Sequence, residues 1–98
     1  MIEKESECKR SDLLLPLRIQ IRHLHNFVVL SEEGSLANAA ERLHISKPPL
    51  GRQIKYMETA LGVQLFDRTP SGMVLTEPGR ELLAHAYRIL DSCRVAEE

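Results

Sequence analysis

The sequence has 98 residues, 43% hydrophobic and 28% charged, which is enough for one small domain with a modest core and too apolar for wholesale disorder. Its formal net charge of −1 leaves nucleic acid open as a partner, because a local patch, and not the total, supplies attraction to phosphate. No apolar run approaches the roughly 18 residues of a membrane helix, and the start MIEKESECKRS carries charges where a signal peptide needs an apolar core, so a soluble, cytoplasmic chain with no membrane contact is expected.

Residues 1–17 mix charges with the short apolar cluster Leu13-Leu14-Leu15 before Pro16 and sustain no period. They predict a flexible N-terminal extension, whose Lys9-Arg10 pair is more simply a solvated charge than a DNA-binding arm. Cys8 and Cys93 lie near opposite ends without CxxC spacing, so both are expected as reduced thiols.

From Ile21 the pattern settles. Leu24, Phe27, Val28 and Ser31 mark one face of a first helix ending at Gly34, a residue suited to a left-handed C-cap. Ser35 then caps a second helix, in which Leu36, Ala39, Ala40 and Leu43 form one apolar stripe. Its two alanines admit close approach of a neighbour, and the Gly-Ser junction forces a large crossing angle. The period breaks at His44-Ile45. Ser46 stands as the N-cap of a third helix, Ser46 to Leu61, opened by Pro48 and Pro49, which cost little in a first turn whose N–H groups lack intrahelical acceptors.

In this third helix Leu50, Ile54, Met57 and Leu61 make the inward stripe, so Pro48, Arg52, Lys55 and Thr59 point outward, with Lys47 and Gly51 at the border. Between Glu41 and Glu58 the chain carries Arg42, Lys47, Arg52 and Lys55 and no acid. A compact helix pair with a cationic outer face on its second member fits the DNA major groove, which admits one α-helix.

Gly62 closes the third helix. Val63, Leu65 and Phe66, the turn Thr69-Pro70-Ser71-Gly72 and then Met73-Val74-Leu75 predict a β-hairpin wing carrying Arg68. Thr76 caps a long last helix whose apolar positions Leu82, Leu83, Ala86, Ile89, Leu90 and Cys93 continue beyond what a small domain needs to cover, a candidate dimer seam. The domain organisation expected is an extension at 1–17, a DNA-binding unit at 18–76 and a dimerisation helix at 77–98.

These residues resemble the N-terminal domain of LysR-type transcriptional regulators. The matching pieces are IRHLHNF at 21–27, EEGSLANAAERLHIS at 32–46, PPLGRQIKYME at 48–58, LGVQLFDRT at 61–69 and LTEPGREL at 75–82. The resemblance implies a mainly α, winged helix-turn-helix fold: a three-helix cluster with a short β-hairpin wing, followed by a long C-terminal linker helix. It implies sequence-specific binding of double-stranded DNA for transcription regulation in a bacterial cytoplasm, at the nucleoid, by a homodimer that reads a pseudo-palindromic site.

By the same resemblance Ser46, Lys47, Pro48, Gly51 and Arg52, with Pro49 in the same first turn, occupy positions that contact base edges and phosphates. Ser35 matches a phosphate contact and Arg68 a wing arginine, while Lys55, a turn further along, is expected on the backbone. Lys47 stands where the family usually has Gln and Gly51 where it commonly has Ser, and Lys favours guanine or phosphate where Gln favours adenine. The family's effector-binding domain is expected to be missing, so a small-molecule inducer would act only through a part this chain lacks. An alternative reading is a protein interaction module working through the last helix.

Phe27, Met57 and Phe66 read as core, and Tyr56 as an outward side chain. His23, His25, His44 and His85 include no i, i+4 pair of a helical zinc site, so no metal or other cofactor is expected. The sequence holds no GxSxG, Cys-centred nucleophile motif or phosphate loop, so no enzymatic activity is expected.

Overall fold

The computed structural model describes residues 18–98; the expected extension at 1–17, with Cys8 and Lys9-Arg10, lies outside them. The chain runs α1 (Ile21–Glu33), α2 (Leu36–Leu43), α3 (Lys47–Leu61), β1 (Phe66–Thr69), β2 (Gly72–Leu75) and α4 (Glu77–Glu97). This is the winged helix-turn-helix arrangement with a long last helix.

Local chemistry sets the boundaries. Gly34 and Gly62 end α1 and α3 in the left-handed region, at φ 71° and 72°, where a side chain would be strained. Ser35 Oγ accepts from the Asn38 N–H at 3.2 Å and Thr76 Oγ1 from the Gly79 N–H at 3.0 Å, so each satisfies an orphan donor of the helix it opens. Ser46 stands at the N-cap position of α3 but makes no side-chain capping bond. His44, at φ 60°, supplies the left-handed turn between α2 and α3, a role sequence periodicity did not point to.

α1 is the centre of the fold. It packs against α2, α3, α4 and β2, so Leu24, Phe27, Val28, Val29 and Leu30 are all buried. Val29 and Leu30 lie off the stripe read from the sequence, because a helix touched on several sides buries more than one face. Leu50, Ile54 and Met57 of α3 are buried beneath it, each contributing about 1.5–3 kcal/mol by leaving water. Leu61, expected with them, is 43% exposed: it is the last residue of α3, and the final turn projects past the core.

The hairpin pairs Phe66 with Leu75, Asp67 with Val74, Arg68 with Met73 and Thr69 with Gly72, leaving Pro70-Ser71 as the loop. It is fastened at both ends. Phe66 packs its ring 5.4 Å from that of Phe27, and the Met73 N–H donates to the Gly34 carbonyl at 3.0 Å. A Cβ on Gly72 would lie 2.3 Å from that same carbonyl oxygen, and one on Gly79 would lie 2.2 Å from the carbonyl oxygen of Leu65. Glycine is therefore required where the wing meets the α1–α2 junction and where α4 crosses the base of the wing.

Leu82, Leu83 and Leu90 of α4 pack half-buried against the core, and Ala86 is fully buried within it. Ala86 is thus spent on its own chain and unavailable to a partner, a correction to the expected seam. The apolar α4 side chains left open are Tyr87, Ile89 and Val95, at 45%, 40% and 52% exposure, with Cys93 half-buried. Among the described residues no helix is long and apolar enough to cross a membrane.

Candidate nucleic-acid interface

The outer face of α3 is built by the burial of its inner one. With Leu50, Ile54 and Met57 fixed inward, Pro48, Arg52 and Lys55 are exposed, and Gly51 is half-exposed at the border. Neither Arg52 nor Lys55 makes an ion pair among the described residues. The nearest acid in sequence, Glu58, is otherwise engaged: its Oε2 accepts from the Leu65 N–H at 2.8 Å and the Phe66 N–H at 3.3 Å. Nothing in the sequence marked Glu58 as the tie between α3 and the wing, since the contact depends on the fold.

Between α3 and the wing lies an open cleft of about 650 Å³ whose lining includes Gly51, Arg52, Lys55, Gln64 and Arg68. A second concavity of about 250 Å³ brings Ser35, Lys47 and Arg68 together with Thr69. The candidate residues therefore fall into two groups. Pro48, Gly51, Arg52 and Lys55 lie along the face of α3, whereas Lys47 sits with Ser35 and Arg68 between the start of α2 and the wing, and Arg68 borders both spaces. In the second group the Ser35 oxygen is used as an acceptor, but its O–H hydrogen is still available to an anion. Ser46 is exposed at the start of α3, with Pro48 and Pro49 following.

Arg42 is a cation of the acid-free run that does not join either group. It pairs with Glu32 at 2.8 Å and Glu33 at 3.1 Å, and Tyr87 of α4 donates to the other Glu32 oxygen at 2.7 Å. The tyrosine hydrogen bond, then the Arg42 guanidinium, hold the Glu32 carboxyl below its ordinary range, and the Glu32 carboxylate in turn raises the Tyr87 hydroxyl.

The histidines have structural surroundings. His23 is buried, accepts the Gln20 N–H on Nδ1 at 3.0 Å and lies 5.7 Å from the Tyr56 ring. Burial and then the Arg22 charge push it below the ordinary imidazole value, which favours this acceptor form. His85 lies 2.9 Å from Arg88. Among the described residues no three His, Cys, Asp or Glu side chains converge as a metal site.

Residues 21–80 match the family described as bacterial regulatory helix-turn-helix protein, lysR family. The uncharacterized HTH-type transcriptional regulator YdcI of Escherichia coli strain K12 is 42% identical over 83 residues, which is 85% of this chain and 27% of that protein. The crystal structure of CbnR, a LysR family transcriptional regulator, superposes with a TM-score of 0.78 at 39% identity, covering 81% of this chain and 27% of that one. That of the BenM_DBD/catB site 1 DNA complex gives 0.77 at 36% identity, covering 80% of this chain and 88% of that one. The chain spans about a quarter of the length of the curated relatives it matches, 27% and 25% for two of them.

Proposed function

Because this chain belongs to the lysR family of bacterial regulatory helix-turn-helix proteins, we propose that it binds double-stranded DNA by laying α3 in the major groove, and that it does so as a homodimer in transcription regulation. The observation that carries the reading is the cationic outer face of α3, where Arg52 and Lys55 are exposed and make no ion pair among the described residues while Leu50, Ile54 and Met57 anchor the opposite side. The BenM_DBD/catB site 1 DNA complex, similar over four-fifths of the chain, supports DNA as the partner.

The two groups of residues divide the work. Arg52 pairs bidentately with guanine, with Pro48 and Gly51 allowing the helix to approach the bases, and Lys55 holds backbone. Ser35, Lys47 and Arg68 hold phosphate on the wing side of the groove; Lys47, read from sequence as a candidate for guanine or phosphate, belongs with phosphate because of its neighbours. Ser46 precedes the base-reading turn, and Pro49 lies within it. Residues 18–76 make the reading unit, and 77–98 carry dimerisation through the exposed part of α4 around Ile89, Leu90 and Cys93, with two-fold pairing setting half-sites about one helical turn or more apart. The protein works at the nucleoid.

Selection of bound duplexes from a random pool tests this directly. The expected product is an inverted repeat with a guanine in each half, and a pool that remains random after selection would refute the reading. The dimer is tested by Ile89→Glu, which is expected to sediment as a monomer; sedimentation equal to that of the parent would displace the seam.

A further inference from the structure

We infer that Arg18 and Arg22, beside the N-terminus of α1, form a second phosphate-binding shelf that grips the DNA strand on the side of α3 away from the wing. The inference rests on the DNA-binding reading above and adds to it a surface on α1. A shallow concavity of about 440 Å³ lies there, its lining including Arg18, Gln20, Arg22, Arg52, Gln53 and Tyr56. It gathers three guanidinium groups and no carboxylate. None of the three arginines enters an ion pair among the described residues, in a chain whose acids outnumber its lysines and arginines by 14 to 13. Like charges gathered without counterions repel one another, and a phosphate placed among them removes that cost.

The shelf is held in place by bonds to α3. Asn26, one turn after Arg22 on the same side of α1, donates from Nδ2 to Gln53 Oε1. The Tyr56 hydroxyl donates to the Arg18 carbonyl at 3.0 Å, so Tyr56 is a positioning residue whose proton is already used. Arg18 gives one long bond of 3.4 Å from Nη1 to the Ala60 carbonyl and keeps its other donors. The first turn of α1 is not itself the anion site, because His23 already engages the Gln20 N–H. The donors on offer are the guanidinium forks of Arg22 and Arg18, whose geometry suits phosphate oxygens.

A helix seated in the major groove has a sugar-phosphate ridge on each side. The wing side presents Ser35, Lys47 and Arg68. The α1 side presents Arg18 and Arg22, so the two flanks of α3 match the two strands. Contacts of this kind fix register and carry no base information.

The test is the salt dependence of DNA binding for the parent chain, Arg22→Ala, Arg18→Ala and the double variant, each on the selected duplex and on a scrambled one. Each lost contact is expected to flatten the slope of log K against log salt by about 0.9, equally on both duplexes, with the preference for the selected duplex unchanged. Arg22→Lys is expected to keep the parent's slope, and unchanged melting temperatures would show that the fold survives. A parent that binds DNA alongside a double variant of identical slope would overturn the shelf alone; so would a change in duplex preference for Arg22→Ala, which would make that arginine a base reader. A parent that binds neither duplex removes the DNA reading and the shelf with it.

Discussion

Arginines serve opposite purposes on two sides of this molecule. Toward α4 and the outer side of α2, Arg42, Arg80 and Arg94 are each matched to carboxylates: Glu32 and Glu33, Glu77, and Asp91 with Glu98. Toward the outer face of α3, Arg18, Arg22, Arg52, Lys55 and Arg68 have no carboxylate partner among the described residues. Exposed ion pairs contribute little to stability. What the pairing accomplishes is spatial: the carboxylates of these pairs are engaged away from α3, and the cations around α3 are left open to a partner. The formal net charge of −1 conceals that arrangement.

The contrast can be broken at several points. The largest effect is expected from Glu58→Ala, which leaves the Leu65 and Phe66 N–H groups without their carboxylate and costs about 2–4 kcal/mol in urea unfolding; a change under about 0.5 kcal/mol would show that water replaces it fully. Arg52→Ala is expected to leave the melting temperature in place while weakening binding to the selected duplex by about 1–3 kcal/mol and relaxing its sequence preference. Equal losses on selected and scrambled duplexes would move Arg52 from base reading to phosphate.

Smaller effects are expected from the paired side. Tyr87→Phe removes the bond to Glu32 and, at an exposed site, is expected to cost about 1 kcal/mol or less, with DNA affinity of the reading unit unchanged. Its pH signature follows from the directions of the shifts. The lowered Glu32 carboxyl contributes stability that is present above the ordinary glutamate range and lost as the pH falls through the lowered value. The raised Tyr87 hydroxyl contributes stability that is present below the ordinary tyrosine value and lost as the pH rises through the raised one. A parent-minus-variant stability difference that is flat between those limits and narrows beyond both would match; one that is flat across the whole range would not. The smallest change has the opposite sign. A Cβ at Gly51 would meet only Leu36 Cδ1, at 4.0 Å, so Gly51→Ala is expected to stabilise α3 by about 0.5–1 kcal/mol in the same urea assay.

Features that depend on a few adjacent residues were legible in the sequence. The caps at Ser35 and Thr76, the stops at Gly34 and Gly62 and the hairpin around Pro70-Ser71 each follow from local backbone chemistry. Features that depend on what surrounds an element were not. Val29 and Leu30 are buried because α1 has neighbours on several sides, and Leu61 is open because the last turn of α3 reaches past the core. Ala86 shares the period of the seam, but periodicity does not say whether a stripe meets its own core or a partner's. For the candidate site, the outward direction of Arg52 and Lys55 could be read from helical period alone. The company of Lys47 with Ser35 and Arg68, and of Arg22 with Arg52, required the chain to be folded.

The bond from Met73 to the Gly34 carbonyl, with Gly72 too close to that oxygen to admit a side chain, means that the height of the hairpin above the α1–α2 junction is gauged before any ligand arrives. Closing on a duplex then freezes no wandering strand where the hairpin meets the α1–α2 junction, so calorimetry should register only a small ordering entropy from this region. Residues inserted between Pro70 and Ser71 would lengthen the tip and leave that gauge as it was.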